Sequence, residues 1–102
     1  GSDHAWGGNQ FVMGGPVAGG QVLGRYPSLA FDSADDVGRG GRILPTTSVD
    51  ALVAELLLWF GLKGRTNFEQ ILPNLSNFYD ARDAEAHDPS TLPIGFLKPD
   101  TY

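Results

Sequence analysis

Residues 47–60, Thr-Thr-Ser-Val-Asp-Ala-Leu-Val-Ala-Glu-Leu-Leu-Leu-Trp-Phe read from Thr46, constrain this chain more than any other stretch. Val49, Leu52, Val53, Leu56, Leu57 and Phe60 recur at the i, i+3, i+4, i+7 spacing of one helical face, so the spacing predicts a helix buried along that stripe. Thr47 is the expected N-cap, with Asp50 three residues on in the manner of a capping box and favourably placed in the first turn. Gly61 and Gly64 supply stops. The other side is hardly polar: Ala51, Ala54, Leu58 and Trp59 leave Glu55 nearly alone. A helix apolar on most sides is normally buried between layers. A chain of 102 residues has little with which to cover both sides. The expectation is that the chain belongs to something larger, packs against upstream residues of the same polypeptide, or self-associates.

Around this helix the reading is an α+β chain: short β-strands or a hairpin plus one main buried helix. Gln10–Met13 and Gln21–Leu23 read as strands joined through Gly14-Gly15-Pro16 and Gly19-Gly20. Tyr26–Phe31 and Arg42–Leu44 are further short β candidates. The glycines show no phosphate-loop spacing ending in Gly-Lys-Ser/Thr. Thr66 and Glu69 carry capping-box spacing for a second helix over 66–72, stopped by Pro73. Leu75, Phe78 and Tyr79 mark a docking segment. Residues 80–89 are acidic and weakly apolar and are expected to be mobile, while Leu92–Leu97 is apolar enough to pack back onto the body.

Composition narrows the partners. Twelve acidic against seven basic residues give a net charge of −5, which argues against a nucleic-acid backbone as ligand. No cysteine is present, so thiolate metal sites and a cysteine nucleophile are excluded. No apolar run reaches the roughly 18 residues of a membrane span. Asp32, Asp35 and Asp36 form an acidic cluster without the spacing or terminal Glu of an EF-hand loop, and read as a polar turn.

The chemistry-bearing pair is Asp3-His4, backed by Trp6, Gly7 and Gly8. Carboxylate oxygen and imidazole nitrogen are both good ligands for a divalent metal, and glycines behind them permit a sharp turn. Two ligands fall short of the three a catalytic site needs. Ser2, Asp3 and His4 are triad residue types, but three consecutive residues rarely point at one another. His87 sits in an acidic stretch and reads as a solvated surface residue. Trp59 reads as core.

Several ordered blocks then carry a resemblance: Asp3-His4-Ala5-Trp6-Gly7-Gly8-Asn9-Gln10-Phe11-Val12-Met13-Gly14-Gly15, Gly19–Gly24, Tyr26–Leu29, Asp35–Gly40, Ile43–Asp50 and Trp59–Leu62. From about Asp3 to Phe78 the chain resembles the C-terminal part of a bacterial family, domain of unknown function 1501 (DUF 1501). That family looks like a member of the alkaline phosphatase-like superfamily, with its sulfatases and phosphomutases. The resemblance implies a parent α/β/α sandwich, with residues 1–78 as the C-terminal part of that domain and 79–102 as an acidic loop and tail. It implies a metal-dependent phosphate- or sulfate-ester hydrolase-like protein, with Asp3 and His4 as ligands to a divalent metal such as zinc or manganese. The nucleophile and remaining ligands would lie upstream, so this chain alone would not be catalytic. An exported, periplasmic location is implied as well. Ala5 stands where the superfamily usually has glycine. Asn9 and Gln10 occupy the nearest positions for a further ligand histidine. These departures favour the alternative, a non-catalytic binding or scaffold protein of the bacterial envelope with the same fold.

Overall fold

The computed structural model describes residues 7–38 and 40–102. They form two compact units. Unit 1 comprises Gly1–Phe11 and Gly24–Thr47, and unit 2 comprises Val12–Leu23 and Ser48–Tyr102.

The regular structure is mostly helical. In unit 2, α1 spans Val49–Phe60 and α2 spans Arg65–Ile71. Short 3-10 turns follow at Leu75–Asn77, Ala81–Ala86, Pro89–Thr91 and Pro99–Thr101. The expected strands do not form among the described residues. In their place stand two isolated antiparallel bridges, Val17 with Leu97 and Asp36 with Ile43. The glycines explain the shortfall. Gly14, Gly20 and Gly24 adopt positive φ around Gln10–Met13 and Gln21–Leu23, turning the backbone before a ladder can extend.

α1 begins one residue later than its sequence signal. Ser48, not Thr47, is the N-cap, and its hydroxyl accepts from the Ala51 N–H at 3.1 Å. Gly61 closes the helix in the left-handed region at φ 100, its N–H turned back to the carbonyls of Leu57 and Leu58. α2 has Gly64 as its cap and no side-chain cap bond. The expected Thr66–Glu69 box is replaced by an Arg65–Glu69 pair one turn apart, Nε to Oε1 at 2.6 Å.

The main correction concerns the face that α1 buries. Ala51, Ala54, Glu55 and Leu58 point inward, whereas Val49 is 70% exposed, Phe60 82% exposed, and Leu56 and Trp59 lie open to solvent. At 3.6 residues per turn the inward and outward sets lie on opposite sides of the helix. Half of the stripe expected to be buried, Val49, Leu56 and Phe60, is therefore exposed, while Leu52 and Leu57 pack half-buried against the core, and Trp59, expected in the core, meets Phe60 edge-to-face on the surface. Among the described residues, the core lies entirely in unit 2. Phe68 (2% exposed) and Leu75 (1%) fill its centre with Ala54, Leu58, Ala81, Ala84, Leu92, Phe96 and Leu97. Residues 80–89, expected to be mobile, contribute Ala81 and Ala84 to it. Leu92, Phe96 and Leu97 pack back as anticipated.

Unit 1 contains no buried residue among those described. It is held by polar contacts around a turn. Val37 N–H donates to the Arg42 carbonyl at 2.9 Å and Leu44 N–H to the Asp35 carbonyl at 2.7 Å, flanking the Asp36–Ile43 bridge. Gly40 and Gly41, at φ 78 and 92, complete the reversal.

Candidate functional site

Asp3 and His4, the residues nominated as metal ligands, lie outside the described residues. Among the described residues, no group of three or more histidine, aspartate or glutamate side chains is placed to hold a metal ion. No helix among them is long and apolar enough to cross a membrane.

The most organised polar constellation is one the sequence reading did not single out. Glu55 is 0% exposed, the only charged residue among the buried ones of the described residues. Its carboxylate projects from the inward face of α1 into four successive backbone N–H groups. Oε1 accepts from Phe96 at 2.7 Å, Leu97 at 3.0 Å and Gly95 at 3.1 Å. Oε2 accepts from Ile94 at 2.7 Å and Gly95 at 2.9 Å. Gly95 at φ 101 lets the backbone fold so that consecutive N–H groups converge. A buried charge is tolerated only when paired or fully hydrogen-bonded. Here backbone dipoles do that work, since the described salt bridges leave Glu55 aside. The same segment is tied on its other side. Ala18 N–H donates to the Phe96 carbonyl and Lys98 N–H to the Pro16 carbonyl, both at 2.8 Å. Lys98 Nζ donates to the Gly15 carbonyl at 2.8 Å.

Unit 1 carries the second constellation. Asp35 accepts a two-pronged bond from Arg25, Nη2 at 2.8 Å and Nη1 at 3.0 Å, and a third from Ser28 N–H at 2.8 Å. The Arg25 guanidinium, then the Ser28 amide, pull its pKa down to about 2. Asp36 accepts from the N–H groups of Asp32 at 2.9 Å, Arg42 at 3.0 Å and Gly41 at 3.1 Å, which hold its carboxyl below the ordinary range. Thr46 Oγ1 donates to the Arg25 carbonyl. Asp35 and Asp36 thus direct their carboxylates at this unit's own donors, which supports the polar-turn reading over a cation site.

A third grouping surrounds the last turn of unit 2. The His87 ring, at an exposed residue, stacks on Tyr102 with centroids 5.3 Å apart. Tyr79 Oη donates to the Thr91 carbonyl at 2.6 Å, and burial pushes its hydroxyl pKa up. These contacts fasten the C-terminal turns to the core and offer no nucleophile–base pair.

Glu55 did leave a sequence signal: one acid beyond the first turn of an otherwise apolar helix, and one glycine inside the apolar run Leu92–Leu97. Neither identifies the other without the fold. Comparison with protein-family models, with curated proteins and with solved structures gave no match.

Proposed function

We propose that this chain is the C-terminal part of a metal-dependent phosphate- or sulfate-ester hydrolase-like protein, an α/β/α sandwich of the alkaline phosphatase-like superfamily, and is not catalytic by itself. The observation that carries the proposal is the outward face of α1. Val49, Leu56, Trp59 and Phe60 are exposed on a helix whose opposite side is already packed. Exposed apolar patches of this kind mark interaction surfaces, and a layered parent domain would cover this one with upstream residues of the same polypeptide. The ligand role of Asp3 and His4 rests on the sequence resemblance alone. A divalent metal held there, with further upstream ligands, would polarise an ester oxygen or activate a nucleophile.

The test is the metal content of the protein extended upstream, measured by elemental mass spectrometry beside its Asp3→Ala/His4→Ala variant. Near-stoichiometric metal that disappears in the variant supports the hydrolase reading and justifies screening phosphate and sulfate esters. A folded, metal-supplied sample that retains none in either form overturns the ligand assignment. The second reading, a non-catalytic binding or scaffold protein of the bacterial envelope, is favoured by Ala5 and by Asn9 and Gln10 at the positions nearest a further ligand. A folded extended protein that binds an oligosaccharide or protein partner regardless of chelator would select it.

A further inference from the structure

We propose that the Ile94–Leu97 backbone is a carboxylate receptor with Glu55 as its built-in ligand, and that a small planar carboxylate such as formate or acetate occupies it when the Glu55 side chain is removed. The inference is independent of the hydrolase reading.

The geometry matches a carboxylate rather than an anion in general. The four N–H groups divide between two acceptor oxygens: Phe96 and Leu97 address Oε1, Ile94 addresses Oε2, and Gly95 bridges both. A spherical halide can satisfy one of these sets, and a neutral amide of the same shape would turn its NH2 group toward N–H donors. Hydrogen bonds to an ionised acceptor are the stronger kind, and away from solvent they strengthen further. The receptor is also held from outside the carboxylate. The Val17–Leu97 bridge, Ala18 N–H on the Phe96 carbonyl and Lys98 N–H on the Pro16 carbonyl fix the segment without Glu55. Gly95 contributes its conformation rather than its lack of bulk: an added Cβ would meet only the Pro89 carbonyl, at an ordinary 3.6 Å, whereas φ 101 is a value side chains rarely adopt. Truncating Glu55 to alanine therefore leaves four convergent donors facing a space the shape of the removed carboxylate.

The experiment uses the full chain and its Glu55→Ala variant, with thermal unfolding and amide hydrogen exchange as readouts. Sodium formate is compared with sodium chloride and with formamide at equal concentration. The expected result is a saturable rise in the variant's midpoint with formate alone, accompanied by renewed protection of the Ile94, Gly95, Phe96 and Leu97 amides. The wild type shows no such rise. Equal responses to formate, chloride and formamide overturn the proposal. Two further variants cover the case in which Glu55→Ala does not fold in any of the three solutes. Glu55→Gln and Glu55→Met retain the side-chain length, and each is expected to lower the folded-to-unfolded ratio at least about tenfold, because the charge is what the donors bind. A Glu55→Met chain as stable as the wild type assigns Glu55 a space-filling role and overturns the proposal.

Discussion

The two units use the same bond, but only in unit 2 is it found, among the described residues, in an enclosed setting. In each, carboxylates gather backbone N–H groups that would otherwise lack partners. Unit 2 has exposed bonds of this kind at Asp80 and Asp88, but its enclosed carboxylate is Glu55, sealed beneath α1 among Phe96, Leu97 and the rest of the apolar core. In unit 1 the carboxylates are Asp35 and Asp36, in a segment with no buried residue among those described. Water can replace the N–H partners of an exposed carboxylate but not those of an enclosed one. A buried, unsatisfied donor forfeits its full solvation, whereas an exposed one forfeits little. The difference shows that counting hydrogen bonds says little about rigidity until their burial is known. Unit 2 has a core to enforce its bonds, and unit 1 depends on bonds without a core.

The strongest challenge to this contrast is Phe68→Ala. A nearly enclosed phenyl ring at the centre of unit 2 should cost about 3–5 kcal/mol, read by urea unfolding. A loss below about 1 kcal/mol would mean that unit 2 has no tightly packed core and that the contrast is wrong. Ser48→Ala tests the same unit at its edge. Removing the cap on the Ala51 N–H should cost about 1 kcal/mol, and Ser48→Asp should recover most of it. Unchanged stability in Ser48→Ala would shift the cap back to Thr47.

In unit 1 the discriminating variable is pH. Because the Asp35 pKa is depressed, its contribution is fully present above the ordinary carboxylate value of about 3.9 and is lost as pH falls through about 2. NMR should therefore show the Ser28 amide and Arg25 guanidinium signals changing together near that lower value. Separate transitions for the two signals, or a joint one completed at the ordinary carboxylate value, would show that Asp35 is not held as described and would break the comparison. The smallest effect belongs to Phe11→Ser. At an open position in unit 1 it should alter the chain's stability by no more than about 0.5 kcal/mol. In the upstream-extended protein, a markedly larger loss would show that this ring acquires a partner there.

The helical part of this architecture was legible, and its orientation was not. Residues 47–60 announced a helix through spacing and caps, and α1 falls at Val49–Phe60. Periodicity picks the inward face only where apolar and polar sides contrast, and this helix offers Glu55 as almost its whole polar side. Glu55 turned inward because a receptor some 40 residues along the chain satisfies it, with sequence separations of 39 to 42. No local pattern carries that information. Strands were read from short apolar runs such as Gln10–Met13, but a run forms a strand only when a partner edge extends beside it, and the positive-φ glycines prevent that. The acidic loop at Asp32–Asp36 was read as a polar turn, and the structure arranges it so. Asp3 and His4 lie outside the described residues, so their pairing stands as a sequence proposal.

The bond between Glu55 and Ile94–Leu97 also sets an order of events during synthesis. α1 is made some 40 residues before the amides that neutralise its carboxylate, and local helices form far faster than a ribosome adds those residues. Until Leu97 clears the exit tunnel, Glu55 must remain hydrated and the inner side of α1 cannot close. The nascent helix is then briefly apolar on its outer side and open to water on its inner one. A stalled chain lacking Ile94–Leu97 should accordingly show α1 accessible to protease, and release of the four amides should switch that accessibility off.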